Sequence, residues 1–273
     1  MRNLNRFIKI AVRAARASGE IQRKGFGRRH SIRFKGAINL VTEVDHSCEE
    51  KIQRIISREF PDHDFLMEES GAWKRPSEYK WIIDPLDGTT NYAHGYPLFC
   101  TSIGLEHQGK MVLGVVYEPN RDELFVGVKG RGAALNGRKI RVSKTSILRR
   151  AFLATGFAYN VQTVRDNNLD HFSDFILNAQ AVRRDGVAAM DLCYVACGRY
   201  DGFWELDLRP WDTAAASLIL REAGGRISSF EGGPFDLYGR EIVASNGVLH
   251  RSMIKVLHKR GSHGRGGQGR RGR

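Results

Sequence analysis

The stretch Trp81–Thr90, WIIDPLDGTT, decides how the chain is read. Trp81, Ile82 and Ile83 form an apolar run of the kind that makes a buried strand. The run stops on Asp84. Asp87 follows three positions later, ahead of Gly88, Thr89 and Thr90. Asp-Pro and Asp-Gly are ordinary turn formers, so this pair alone fits a plain turn as well as a site. Other acids stand in similar places. Glu68 and Glu69 close the preceding strand-like segment DFLMEES, Asp45 opens a helix after LVTEV, and Asp212 opens another after LRPW. Asp45 and Asp212 also fit as helix N-caps. Acids gathered at one edge of a layered fold repel one another unless cations neutralise them. An all-oxygen set without a Cys or His cluster suits Mg²⁺, which takes a few carboxylates, waters and a phosphate. Gly88 lets the backbone approach an anion closely, and N–H groups at a following helix start cradle phosphate oxygens. Metals beside such a nest point to metal-assisted hydrolysis of a phosphoester. Other phosphate motifs fail: GRGAALNGRK lacks the G-K-[ST] ending of a P-loop and the third glycine of a dinucleotide fingerprint. Nothing resembles a Ser or Cys nucleophile elbow.

Outward from this stretch, helices and strands alternate along the 273 residues without internal repeats. Leu4, Phe7, Ile8, Ala11, Val12 and Ala15 recur at helical spacing and predict a first helix that ends near SGE. A second is predicted from Asp45 to Phe60, burying Cys48, Ile52, Ile55, Ile56 and Phe60 before Pro61. Strands are predicted at DFLMEES and YKWIIDP. Residues 100–137 alternate apolar and polar between Gly and Asn turns, the pattern of an antiparallel meander. Beyond it come strands at AFLATGF, QAVRR, YDGFWEL, GRISSF and EIVASN. Helices are expected at Leu169–Leu177, AAMDLCYVACG, WDTAAASLILREAGG and GVLHRSMIKVLHKR. This order favours a layered α/β fold with mixed and antiparallel sheets over a purely parallel sheet.

The net charge of +13 sits at the two ends. Residues 1–35 carry +10, residues 259–273 carry +6, and the remainder is mildly acidic at −3. The final GSHGRGGQGRRGR is low-complexity and too polar to fold alone. The expected organisation is therefore one domain over residues 1–258 and a basic Gly/Arg-rich tail over 259–273. Six positive charges and no acid or aromatic in that tail fit phosphate contacts with RNA or another polyanion, and equally a solubilising terminus. Hydrophobic residues make up 41% of the chain, enough for a real core. Cys48, Cys100, Cys193 and Cys197 read as free thiols of a reducing, cytoplasmic protein; the last two are four apart, unlike a C-x-x-C pair. No apolar run reaches the length of about 18 needed to span a membrane. Lys9, Arg13 and Arg16 interrupt the first apolar residues, unlike a secretory signal.

WIIDPLDGTTNYAHGYP resembles the D-P-[IL]-D-G-T-T-N signature of the inositol monophosphatases. MEES is similar to their G-E-E-S element, and RPWDTAAASLILREAGG to their W-D-x-A-A-G and E-A-G-G motif. The motifs occur in family order, and the likeness covers about residues 4–258. RPWD, DGFWEL and LATGF most resemble the bacterial extragenic-suppressor branch. The resemblance implies an αβαβα sandwich and a homodimer. It implies Mg²⁺ held by Glu68, Asp84, the Leu86 carbonyl, Asp87 and Asp212, and two-metal activation of water for in-line attack on phosphorus. Glu68 and Thr89 would orient that water, with Asp45 bonded behind Thr89. Gly88 and Thr89 would bind phosphate through N–H groups, while Gly186 and Glu205 would contact substrate. The implied substrate is inositol 1-phosphate or a similar polyol monophosphate. The alternatives are fructose 1,6-bisphosphate, histidinol phosphate or a nucleotide phosphate, or a factor that binds RNA or the transcription machinery with catalysis secondary. Val187 departs from the family's usual Ser or Thr, which removes an expected hydroxyl contact to the polyol. Ala216 and Met67 replace common glycines.

Overall fold

The computed structural model describes residues 2–28, 32–34, 40–165 and 167–258. The tail 259–273, with the polyanion binding expected of it, lies outside the described residues. Helices α1 (Arg2–Gly25) and α2 (Glu43–Glu59) form the first layer, with the short hairpin β1 (Ile32–Phe34) and β2 (Leu40–Thr42) between them. A large sheet follows, built from β3 (Asp64–Met67), β4 (Gly71–Trp73), β5 (Tyr79–Asp87), β6 (Cys100–His107), β7 (Lys110–Glu118), β8 (Glu123–Val128), β9 (Gly132–Leu135) and β10 (Arg138–Lys139). The short helix α3 (Thr89–Ala93) leaves the end of β5. The strand order is β10-β9-β8-β7-β6-β5-β3-β4, antiparallel except for β3 with β5. The smaller sheet holds β11 (Phe152–Thr155), β12 (Ala181–Arg183), β13 (Gly202–Leu206), β14 (Arg226–Ser228) and β15 (Glu241–Ser245), in the order β12-β11-β13-β15-β14. Helices α5 (Ala188–Ala196) and α6 (Pro210–Glu222) lie between the sheets, and α4 (Leu169–Asn178) and α7 (His250–His258) cover the outside of the smaller one. The expected αβαβα sandwich of mixed sheets is the observed architecture.

Each layer follows from its residue pattern. Phe7, Ala11 and Ala15 are buried against Ile52, Ile56, Trp81 and Ile103, as the helical spacing required. The middle helices are buried nearly all round because they lie between the two sheets. Every residue from Ala188 to Ala196 is buried, as is every residue from Thr213 to Leu220. Helix α6 approaches the large sheet unusually closely. Gly104, Gly114 and Gly127 face one another directly across β6, β7 and β8. A Cβ on Gly114 would fall on the Ala215 carbonyl oxygen, and one on Gly127 would lie 2.7 Å from the Ile219 Cα. This row of glycines is a seat for the α6 backbone, and it sets where Asp212 emerges.

Three sequence expectations need correction. Helix α1 does not end at SGE but continues to Gly25. Gly19 is a packing residue there, since a Cβ would lie 2.5 Å from the Tyr117 ring. Asp45 and Asp212 are not N-caps. Thr42 caps α2 and Arg209 stands at the cap of α6, and each Asp sits at the third helical position and bonds back to the cap N–H. Strand β4 was not anticipated, being a short segment without a periodic pattern, whereas α3 supplies the helix start expected after Gly88.

Gly114→Ala is expected to destabilise the fold by about 1–3 kcal/mol or more, because the added methyl meets backbone rather than a movable side chain. Urea unfolding measures this, and an unchanged midpoint would show that α6 does not rest on the glycine row.

Candidate active site

Strand β5 carries the first two acids. Its pairing with β6 runs regularly to Asp84–Ser102 and resumes at Asp87–Cys100, so β5 spends three steps where β6 spends two. This extra residue is a bulge at Pro85–Leu86, where Pro85 has no N–H to give to the ladder. Strict alternation would put positions 84 and 87 on opposite faces. The bulge cancels that, and both acids line one cavity of about 400 Å³. Leu86 N–H donates to Asp84 Oδ1 at 2.9 Å. The Pro85 carbonyl accepts from Gln22 Nε2 at 2.8 Å and Ser18 Oγ at 3.3 Å, which ties the bulge to α1.

Neighbouring elements deliver the other acids. Strand β3 is parallel to β5 with Met67 opposite Ile83, so Glu68 comes out beside Asp84, and its N–H donates to the Ile83 carbonyl at 3.2 Å. Asp212, at the head of α6, accepts from Arg209 N–H at 2.7 Å and lines the same cavity. Asp87 Oδ2 accepts from Ala189 N–H at 2.8 Å, which places it against the N-terminus of α5. Burial and the nearby Glu68, Asp87 and Asp212 hold the Asp84 carboxyl well above its usual range. Asp212 is raised in the same way, by burial first and then by Asp87. Asp87 is pushed up to about 7, chiefly by burial and despite its bond from Ala189.

Gly88 follows with φ 95°, a left-handed conformation that favours glycine, and a Cβ there would press on Val187 Cγ2. The first helical bond of α3 runs from Tyr92 N–H to the Gly88 carbonyl, leaving the N–H groups of Thr89, Thr90 and Asn91 outside the helical ladder. The Thr89 hydroxyl lies 3.0 Å from both Asp45 Oδ1 and the Leu86 carbonyl oxygen and donates to one at a time. Asp45 is buried, and its Oδ2 accepts from Thr42 N–H at 2.9 Å and Thr42 Oγ at 2.7 Å. Burial raises its pKa against the lowering effect of those bonds. On another wall, Glu205 projects from β13 beside Gly156, where a Cβ would overlap its carboxyl group. Burial pushes Glu205 up to about 8, opposed by the charge of Arg184.

The cavity thus gathers Glu68, Asp84, Leu86, Asp87, Gly88, Thr89, Gly186, Glu205 and Asp212. Asp45 stands behind Thr89, outside the lining. Val187 does not face the cavity: it is fully buried against Gly88, and Gly186 and Ala188 form the wall instead. The missing hydroxyl therefore removes nothing from the cavity surface. Ala216 is fully buried packing in α6. Sequence reasoning missed Arg184 and Arg209, which bring positive charge to the lining, and Tyr159 and Asn160. It also missed Asn91, whose Nδ2 donates to the Leu98 and Asp185 carbonyls at 3.0 and 2.8 Å and ties α3 to the Gly186 loop. Its place next to DGTT was the available signal.

Among the described residues, no three or more His, Cys, Asp or Glu side chains are arranged to hold a metal by themselves. The donor set still fits Mg²⁺, which binds through one or two carboxylates and keeps waters and substrate phosphate as its other ligands. Crowded oxygen donors with raised pKa values are the electrostatic situation that a divalent cation relieves.

Carboxylates massed beside an open helix start, on this layered fold, define the chain as a phosphatase. The profile of the inositol monophosphatase family matches residues 3–262, and the chain belongs to that family. An inositol-1-monophosphatase of Synechocystis is 46% identical over 257 residues, covering 93% of this chain and 90% of the relative. A protein of Pasteurella multocida named Nus factor SuhB is 41% identical over 259 residues, covering 94% and 96%. The solved inositol monophosphatase of Anabaena superposes with a TM-score of 0.87 at 43% identity, covering 94% of this chain and 97% of that one.

In the metal-free protein the raised carboxyl groups bind protons more tightly folded than unfolded. The stability they contribute is full below about pH 4, the unfolded value, and is lost as pH rises through about 7 for Asp87 and about 8 for Glu205. Asp84→Asn removes one repelling charge, so in chelator its advantage in Tm over the parent should widen from pH 4 to pH 9. A constant or shrinking difference would contradict the crowding.

Proposed function

We propose that residues 1–258 act as one phosphatase domain that hydrolyses a small polyol monophosphate, with inositol 1-phosphate the best candidate. The observation that carries this is a single cavity with Glu68, Asp84, Asp87 and Asp212 massed beside Gly88–Thr89 and a further carboxyl, Glu205, in its lining. The N–H groups of Gly88 and Thr89 receive phosphate oxygens. Glu68 and the Thr89 hydroxyl orient the attacking water in line with the scissile bond, and Asp45 fixes Thr89 from behind. A carboxyl oxygen of Glu205 accepts a hydrogen bond from a substrate hydroxyl, the discriminating contact for a polyol. Glu68, Asp84, the Leu86 carbonyl, Asp87 and Asp212 would hold Mg²⁺, which when bound supplies Lewis acidity and neutralises charge on the phosphoryl group.

The name of the Pasteurella relative supports a second reading, association with transcription complexes. The concentration of positive charge at the two ends of this chain favours it. A tail that contacts RNA phosphates, in a cytoplasmic protein, belongs to that reading. Deletion of residues 259–273 should then weaken RNA binding with turnover nearly intact, and unchanged RNA affinity would remove the tail from the account. A homodimer is the proposed assembly, consistent with exposed Leu169, Ile176 and Leu177 on α4. Light scattering that gives the mass of one chain would contradict it.

A panel of phosphate esters assayed with and without Mg²⁺ tests the catalytic reading. Turnover should require Mg²⁺, and Asp84→Asn and Asp212→Asn should each lower kcat/KM by several powers of ten. Glu205→Ala should cost inositol 1-phosphate more than an aryl phosphate without hydroxyls. Full activity in excess chelator would refute the metal site, and equal losses on both esters would refute the role of Glu205.

A further inference from the structure

We propose that the outer face of α1 and α2, continued onto the edge strand β4, binds single-stranded nucleic acid. Two grooves meet there. One, of about 430 Å³, runs between α1 and α2 and is lined by Arg13, Lys51, Arg54, Ile55, Arg58 and Glu59. The other, of about 390 Å³, lies between α2 and β4 and is lined by Glu50, Gln53, Arg54, Ser57, Trp73 and Arg75, so that one acid stands against two arginines. Arg54 belongs to both, so the grooves form one continuous surface. Lys51, Arg54 and Arg58 share a face of α2 at helical spacing. The acid in the first groove does not offset them, because Glu59 is taken by Arg6 at 3.0 Å and Arg13 at 3.4 Å. Among the described residues no ion pair engages Lys51, Arg54 or Arg58.

Charge alone fits any polyanion. Trp73 narrows the partner. It is 43% exposed at the end of the edge strand, whereas Trp81 and Trp204 are fully buried in the core. An exposed indole in a groove with two arginines and one glutamate, joined through Arg54 to the more basic groove, offers a base a stacking surface while the arginines meet phosphates, the combination that single strands use. A duplex hides its base faces, and the carboxylate side chains of an acidic peptide offer no ring to stack. Neither groove shares a residue with the acid cavity, so the inference is independent of the phosphatase reading. It is independent of the tail as well.

The test uses the full-length chain and a fluorescein-labelled oligouridylate, with anisotropy read at several salt concentrations and phosphatase turnover measured in parallel. Trp73→Ala should weaken binding about tenfold. The pair Arg54→Ala/Arg58→Ala should weaken it and reduce the slope of log K against log salt by about 1.4, at about 0.7 for each phosphate left without its arginine. Turnover should be unchanged in both, which also shows that both fold. Unchanged affinity in both variants overturns the proposal. So does a loss confined to the arginine pair, which would mark a general polyanion surface, or equal competition by polyglutamate at matched charge, which would mark an acidic protein partner.

Discussion

One extra residue in β5 underlies the arrangement of the site. Without the bulge at Pro85–Leu86, Asp84 and Asp87 would point to opposite faces of the sheet, and no second carboxylate from this strand would reach the cavity. With it, two like charges are forced together at the end of a buried strand. The surrounding structure holds them there against their repulsion. Helix α1 grips the Pro85 carbonyl through Gln22 and Ser18, the Leu86 N–H bonds Asp84, and the N-terminus of α5 bonds Asp87. On the proposed reading, a site assembled this way sacrifices stability in its metal-free form for readiness to bind a cation.

The remaining parts of the cavity arrive through register and close packing. Parallel pairing of β3 with β5 fixes Glu68 beside Asp84. The glycine row Gly104, Gly114 and Gly127 lets α6 lie on the sheet, and so fixes the emergence of Asp212. Gly156 clears the space that Glu205 occupies. Three devices with no catalytic chemistry of their own thus determine where Glu68, Asp212 and Glu205 stand. That is why residues from 68 to 212 in the chain line one cavity.

Much of this was legible in the sequence, and the reason is chemical. Asp-Pro-Leu-Asp-Gly-Thr-Thr after an apolar run states a strand end, two acids and an open turn in consecutive residues. Amphipathic spacing gave the faces of α1 and α2, and the apolar character of Ala188–Ala196 marked a helix enclosed on all sides. What was illegible depends on packing between residues distant in sequence. Gly19 looked like a helix terminator because nothing local shows the Tyr117 ring against it. Asp45 and Asp212 looked like caps because the third helical position bonds the same backbone region as the cap itself. Val187 looked like a wall of the substrate site because sequence position does not reveal which way a residue at a helix start faces. Arg184 and Arg209 carry no motif of their own and join the cavity only through the fold.

The central claim is that the crowded carboxylates are an unneutralised cation site. Thermal unfolding at pH 8 during a Mg²⁺ titration tests it most directly, because an ion that binds only the folded state raises Tm in proportion to the logarithm of its concentration above Kd. The account predicts a rising Tm for the parent chain and a flat response for Asp84→Asn/Asp212→Asn. A parent Tm indifferent to Mg²⁺, or an equal rise in the double variant, would contradict it.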